Sequence, residues 1–205
     1  MSDFQFTRPS NFPPVVKNLL IINVLVFFGQ IILEQQYFNL IYYAGLVNWR
    51  MDEFQPFQFI THMFMHGSLG HLFFNMFSLW MFGKILENHW GAKRFLFFYL
   101  LCGIAAAFAQ QLMGDFVIAV GASGAIMGLF AAFAYLFPNT ELYLMFIPIP
   151  IKAKWALIGF AAIDVFGGVA KIGGDNVAHW AHLGGALAGI LTIIYWNRTN
   201  RKSLY

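Results

Sequence analysis

Apolar residues run along this chain in six stretches, separated by polar, proline-bearing or glycine-rich breaks, and the lengths of those stretches predict helices that cross a bilayer. Met1 to Pro14 is polar and carries prolines, and Val16–Leu33 is the first run long enough, at about 1.5 Å per residue, to cover most of a hydrocarbon core. From Glu34 to Ser68 aromatic and polar residues mix (Tyr42, Tyr43, Trp49, Arg50, Phe54, Phe57, Phe59), the pattern of a segment that lies at the membrane interface with its rings as anchors. Leu69–Asn88 and Ala92–Met113 predict the second and third helices. The fourth, Gly121–Phe137, is about 17 residues long, short for a span, and carries Gly121, Ala122, Gly124, Ala125, Gly128, Ala131, Ala132 and Ala134, which places it in the middle of a bundle. Pro138, Pro148 and Pro150 break the chain before a fifth helix over Ile151–Ala170. Gly167, Gly168, Gly173 and Gly174 then lead into a sixth over His179–Trp196. The expected fold class is an all-α membrane protein, a six-transmembrane-helix bundle with an interfacial first loop. Its parts are an N-terminal segment (1–14), the membrane domain (15–197) and a C-terminal tail (198–205).

Composition agrees with that reading: 60% of residues are hydrophobic, 10% are charged, and the mean hydropathy is +0.65. A net charge of +3 is too small to point to nucleic acid, so the expected surroundings are the lipid bilayer. The single cysteine, Cys102, excludes an intramolecular disulfide. No short apolar segment followed by a small-residue cleavage site opens the chain, so the first residues are expected to be retained. Six helices bring both termini to one side. On that side lie Arg8, Lys17, Lys84, Lys93, Arg94, Lys152, Lys154, Arg198, Arg201 and Lys202, ten of the twelve basic residues, with Arg50 and Lys171 opposite. The positive-inside pattern therefore predicts a multi-pass protein of the cell (inner) membrane with cytoplasmic termini.

This topology makes helices two, four and six start at one face, and His71 with Asn75, Ser123 and His182 fall in the first two turns of those three helices. They share a layer roughly 3–10 Å below that face at 1.5 Å per residue. Polar groups in that layer face one another or a wet cavity more readily than lipid. A serine hydroxyl needs a base to become a nucleophile, and histidine is the usual one. His182, Gly185 and Gly189 lie three and four residues apart on one helical face, so the glycines let helix six approach Gly124 and Gly128 and bring the imidazole toward Ser123. His71 and Asn75, four apart, are the expected oxyanion donors together with the Ser123 N–H. Asp164 on helix five is the nearest acid, but nothing assigns it to His182, and a Ser-His dyad is the expectation. Taken singly, each residue has a plainer reading: Ser123 as packing, His182 as a satisfied bundle histidine, Glu87 as the partner of a neighbouring lysine. Gln110 and Gln111 either hold water or end helix three. His62, His66 and His71 match no zinc spacing, so neither metal nor cofactor is expected.

Four ordered segments carry a family resemblance: Thr61 through Asn75 (THMFMHGSLGHLFFN), Gly83-Lys84-Ile85-Leu86-Glu87, Gly121-Ala122-Ser123-Gly124, and Ala181 through Gly189 (AHLGGALAG). On these the chain resembles the rhomboid intramembrane serine proteases in their bacterial six-helix form, from helix one to helix six. The resemblance implies Ser123 as nucleophile, His182 as general base, and His71 and Asn75 as oxyanion donors, with no cofactor. The Trp49-Arg50 pair is similar to the family's first loop, the glycine-rich loop before helix six to its cap, and helix five to its lateral gate. Two features depart from the family. Met127 stands where some members place a tyrosine against the catalytic histidine, so another contact, such as sulfur–aromatic packing by Met127, has to orient His182. The loop from Phe166 to His179 is also long. The expected function is a serine endopeptidase that cuts transmembrane protein substrates near the outer face through an acyl-enzyme. The alternative is a catalytically inactive rhomboid-like protein that binds transmembrane clients. A transporter or channel would need polar residues along a continuous path, which helices three to five do not offer beyond Asp164.

Overall fold

The computed structural model describes residues 9–36, 38–114, 118–143, 149–170 and 177–200. Among these, six long helices form the body: α1 (Pro14–Gln35), α4 (Leu69–Trp90), α5 (Ala92–Met113), α6 (Ser123–Leu136), α7 (Ala153–Ala170) and α8 (His179–Asn200). Two short ones, α2 (Leu40–Ala44) and α3 (Gln58–Thr61), lie in the first loop. Helices α1, α4, α5 and α7 are long and apolar enough to cross a membrane. Helix α8 has 22 residues but carries His179 and His182 at one end and Asn197, Arg198 and Thr199 at the other. The result is the all-α membrane bundle read from the sequence, with boundaries shifted by a few residues.

Helix α6 is the centre. Its 14 residues span only about 21 Å at 1.5 Å per residue, and Gly124–Ile126 and Gly128–Ala134 are buried. A helix apolar on every face belongs inside other helices, and α6 packs against α4, α5, α7 and α8. The seam with α8 is made by backbone. A Cβ built on Gly185 would overlap the Gly124 carbonyl oxygen and lie 2.7 Å from its carbon. One built on Gly189 would lie 2.6 Å from the Gly128 oxygen, and one on Gly128 2.9 Å from the Gly185 oxygen. No side chain separates the two helices at these points.

The first loop is tied down by amides. Gln58 accepts from Val47 N–H at 3.2 Å and donates to the Tyr43 carbonyl at 3.1 Å. Thr61 donates to the Ala44 carbonyl at 2.6 Å. Gln111 donates to the Val47 carbonyl at 2.6 Å and accepts from Trp49 N–H at 2.9 Å. Gln111 therefore neither ends α5 passively nor waits for water; it fastens the loop. Gln30 on α1 holds the backbone of His66 the same way, donating at 2.9 Å and accepting at 3.1 Å. β1 (Leu46–Val47) pairs antiparallel with β2 (Ile118–Ala119), joining this loop to the strand that leads into α6.

Two other expectations change. Glu87 is not paired with a lysine: it is 3% exposed, and its two carboxylate oxygens accept from Val15 and Val16 N–H at 2.9 and 2.7 Å. A carboxylate at these orphan donors satisfies the first turn of α1 and complements its dipole. Lys84 instead lies 3.7 Å over the Trp80 ring. The proline-bearing break before the fifth helix contains a second small ladder, β3 (Glu141–Tyr143) with β4 (Pro150–Lys152), so α7 begins at Ala153, two residues later than expected. Pro148, Lys171, Gly173, Gly174, Arg8, Arg201 and Lys202, on which parts of the loop and charge readings rested, lie outside the described residues.

Candidate active site

Ser123 is the first residue of α6, and the turn before it is built by Gly121, whose φ of +115° is a conformation that side chains with a Cβ rarely adopt. The helix starts at Ser123 rather than at the expected Gly121 for this reason. The Gly121 N–H donates to the His62 carbonyl at 2.9 Å, which anchors the turn to the first loop. As the first helical residue, Ser123 has an N–H with no acceptor within its own helix.

The glycine seam sets Ser123 against the first turn of α8. Ser123 Oγ and His182 Nε2 are 2.9 Å apart. On the other side of the imidazole, His182 Nδ1 lies 3.0 Å from Asp164 Oδ1 of α7. The same oxygen lies 2.8 Å from Nδ1 of His179, one turn earlier on α8. Asp164 is buried, 4% exposed, and Gly167 leaves the space that the His179 ring fills. Beside the expected Ser123–His182 pair there is thus a third group, a carboxylate against the other ring nitrogen of His182. His179 was not singled out from the sequence; its spacing of three from His182, together with one acid on the preceding helix, was the available signal.

His71 and Asn75 come together on the third side. A Cβ on Gly121 would lie 2.6 Å from His71 Nε2 and 3.5 Å from Asn75 Nδ2, so both side chains converge on the turn that presents Ser123. Asn75 is 5% exposed, and its Nδ2 has no acceptor among the described residues. A buried amide donor left without a partner is costly, and here it faces the site. His66 packs edge-on to His71, with ring centroids 5.1 Å apart. In the loop ahead of α4, burial holds His62 down at about 4 against an ordinary 6.5, while its Nδ1 bonds the Gln58 carbonyl at 2.9 Å. Burial, with His71 nearby, holds His66 at about 4 as well. Both rings are neutral at ordinary pH. Among the described residues no group of three or more His, Cys, Asp or Glu is disposed to hold a metal ion. A hydroxyl on an imidazole, beside unpaired donors, is an arrangement that can carry out acyl transfer.

A rhomboid-domain profile matches residues 53–198. The chain belongs to the rhomboid family. This rhomboid is 36% identical over 137 residues to the mitochondrial presenilin-associated rhomboid-like protein of Bos taurus, covering 64% of this chain and 36% of that protein. It is 34% identical over 152 residues to the mitochondrial Rhomboid protein 1 of Saccharomyces cerevisiae, covering 70% of this chain and 42% of the yeast protein. A third relative, the chloroplastic Rhomboid-like protein 11 of Arabidopsis thaliana, is 31% identical over 147 residues, 67% of this chain and 51% of that one. The matched part of this rhomboid therefore spans between about a third and a half of the length of these relatives. They also overturn one expectation. The bovine and yeast proteins are mitochondrial and the Arabidopsis protein is chloroplastic, which overturns the expectation of a cell inner membrane with cytoplasmic termini.

Proposed function

We propose that this rhomboid is an intramembrane serine endopeptidase that cleaves transmembrane protein substrates near the membrane face where α4, α6 and α8 begin. The observation that carries the reading is the 2.9 Å contact between Ser123 Oγ and His182 Nε2. His182 takes the hydroxyl proton as Oγ attacks the scissile carbonyl. The Ser123 N–H, the His71 ring and Asn75 Nδ2 donate to the oxyanion of the tetrahedral intermediate. When that intermediate collapses the C–N bond breaks, the leaving amine takes the proton from His182, and the acyl group stays on Ser123. Water then attacks the ester, giving its proton to His182, and release of the new carboxyl terminus returns the proton to Ser123. The unpartnered amide of Asn75 supports this reading, because a donor held in reserve gains its acceptor only as the oxyanion forms.

The test is cleavage of a single-span substrate in lipid vesicles by the wild type, Ser123→Ala and His182→Ala. The wild type should cut and both variants should lose activity by on the order of 10³-fold or more. Equal cleavage by all three refutes the mechanism, and a wild type that binds the substrate without cutting it favours a client-binding rhomboid.

A further inference from the structure

Asp164 receives two imidazoles on one oxygen, an arrangement that does more than join two helices. The Nδ1 atoms of His179 and His182 approach the same Oδ1 at 2.8 and 3.0 Å, and the carboxylate is buried between α7 and α8. A buried carboxylate accepts and cannot donate, so both Nδ1 atoms must carry the hydrogens. For His182 this decides the tautomer. With Nδ1–H given to Asp164, Nε2 is left bare, and Nε2 is the atom 2.9 Å from Ser123 Oγ. The opposite tautomer would turn a bare Nδ1 to the carboxylate, leaving two lone pairs facing each other, and would aim an N–H at the hydroxyl it has to deprotonate. His179 gives the carboxylate a second fixed donor from the same helix face as His182, so the acceptor is held in register with α8.

We infer that Asp164 is the positioning residue of the site: it holds His182 with Nε2 bare toward Ser123 and steadies the imidazolium formed when the proton moves. This rests on the proposed Ser123–His182 chemistry. No bond to Asp164 forms or breaks, and the proton taken from Ser123 stays on His182 until the leaving amine removes it.

The test uses the full chain in phosphatidylcholine vesicles and compares the wild type with Asp164→Asn, which keeps the size of the side chain and removes its charge. Three readouts are taken: the rate at which a fluorophosphonate probe labels Ser123, the kcat and KM for a single-span substrate, and the ¹⁵N shifts of the His182 ring. In Asp164→Asn the labelling rate and kcat should fall by on the order of 10²- to 10⁴-fold, with KM within about threefold. The wild-type spectrum should show a protonated Nδ1 and a bare Nε2, and the variant a mixture. A wild type that is not labelled at Ser123 overturns the proposed chemistry and this inference with it. A labelled wild type with Asp164→Asn labelled equally fast, and with His182 in the same tautomer, overturns the role of Asp164 alone. The ring shifts are read on the monodisperse folded fraction isolated by gel filtration before reconstitution, so they decide the matter even if the variant is less stable.

Discussion

Alanine in place of Gly185 tests whether the backbone seam sets the reacting distance. The new Cβ would fall on the Gly124 carbonyl, 2.7 Å from its carbon, against the roughly 3.5–4.0 Å at which carbon atoms settle. Neither neighbour is a side chain that can rotate away, so α8 has to move from α6 by about 1 Å to restore contact. A shift of that size takes the 2.9 Å Ser123–His182 approach to about 3.9 Å, beyond hydrogen-bond range. Overpacking of this kind typically destabilises by about 1–3 kcal/mol, and a 1 Å misplacement of reacting groups by about 10²-fold in rate. Gly159→Ala on α7 is the control, because nothing lies within 4 Å of its added carbon. Thermal unfolding and substrate cleavage, both in lipid vesicles, should show Gly185→Ala less stable and about 10²-fold slower, and Gly159→Ala unchanged or slightly more stable. If the two variants behave alike, the close approach of α6 and α8 is not what positions the pair.

Three further outcomes follow from other contacts. Asn75→Ala should slow cleavage by about 10²–10³-fold with little change in unfolding temperature, since its Nδ2 gives up no protein hydrogen bond. Glu87→Ala should lower stability by about 1–3 kcal/mol and Glu87→Gln by less, as unfolding in denaturing detergent would report, because the amide keeps one acceptor for Val15 and Val16. His62 sits at about 4 when folded against 6.5, so the unfolded chain takes up its proton first as pH falls. Its contribution is complete above about pH 6.5 and declines toward pH 4, by roughly 3 kcal/mol in all. Unfolding temperature measured between about pH 7 and pH 5 should fall, and the His62→Gln variant should show a shallower slope, His66 supplying the remainder.

The helices were legible because apolar length and proline and glycine breaks are local. So were Ser123, His182, His71 and Asn75, since the ends of three helices place them at one level and glycine spacing names the faces that meet. What escaped depends on partners distant in the chain. The partners of Glu87, the first-turn N–H groups of α1, lie 71 and 72 residues away, and no local pattern reports that a carboxylate caps a helix so distant. Gln30, Gln58 and Gln111 read as ordinary polar residues until the loop backbone is seen against them. Asp164 was visible as an acid, but α7 is apolar around most of its circumference, so its sequence does not say which side meets α8. The position of His182 could be read; the direction of its ring could not.

The bare backbone contact at the glycine seam of α6 and α8 also limits how the molecule can adapt. Interfaces filled by rotatable groups can loosen by reshuffling rotamers, whereas carbonyl against α-carbon has no such freedom. Helix α7 is bound less tightly: its Ile163, Val165, Phe166 and Val169 lie open to the surroundings. Since Asp164 rides on α7, any displacement of that helix would also carry away the acceptor of the His182 ring, so the seating of α7 and the orientation of the imidazole are mechanically linked.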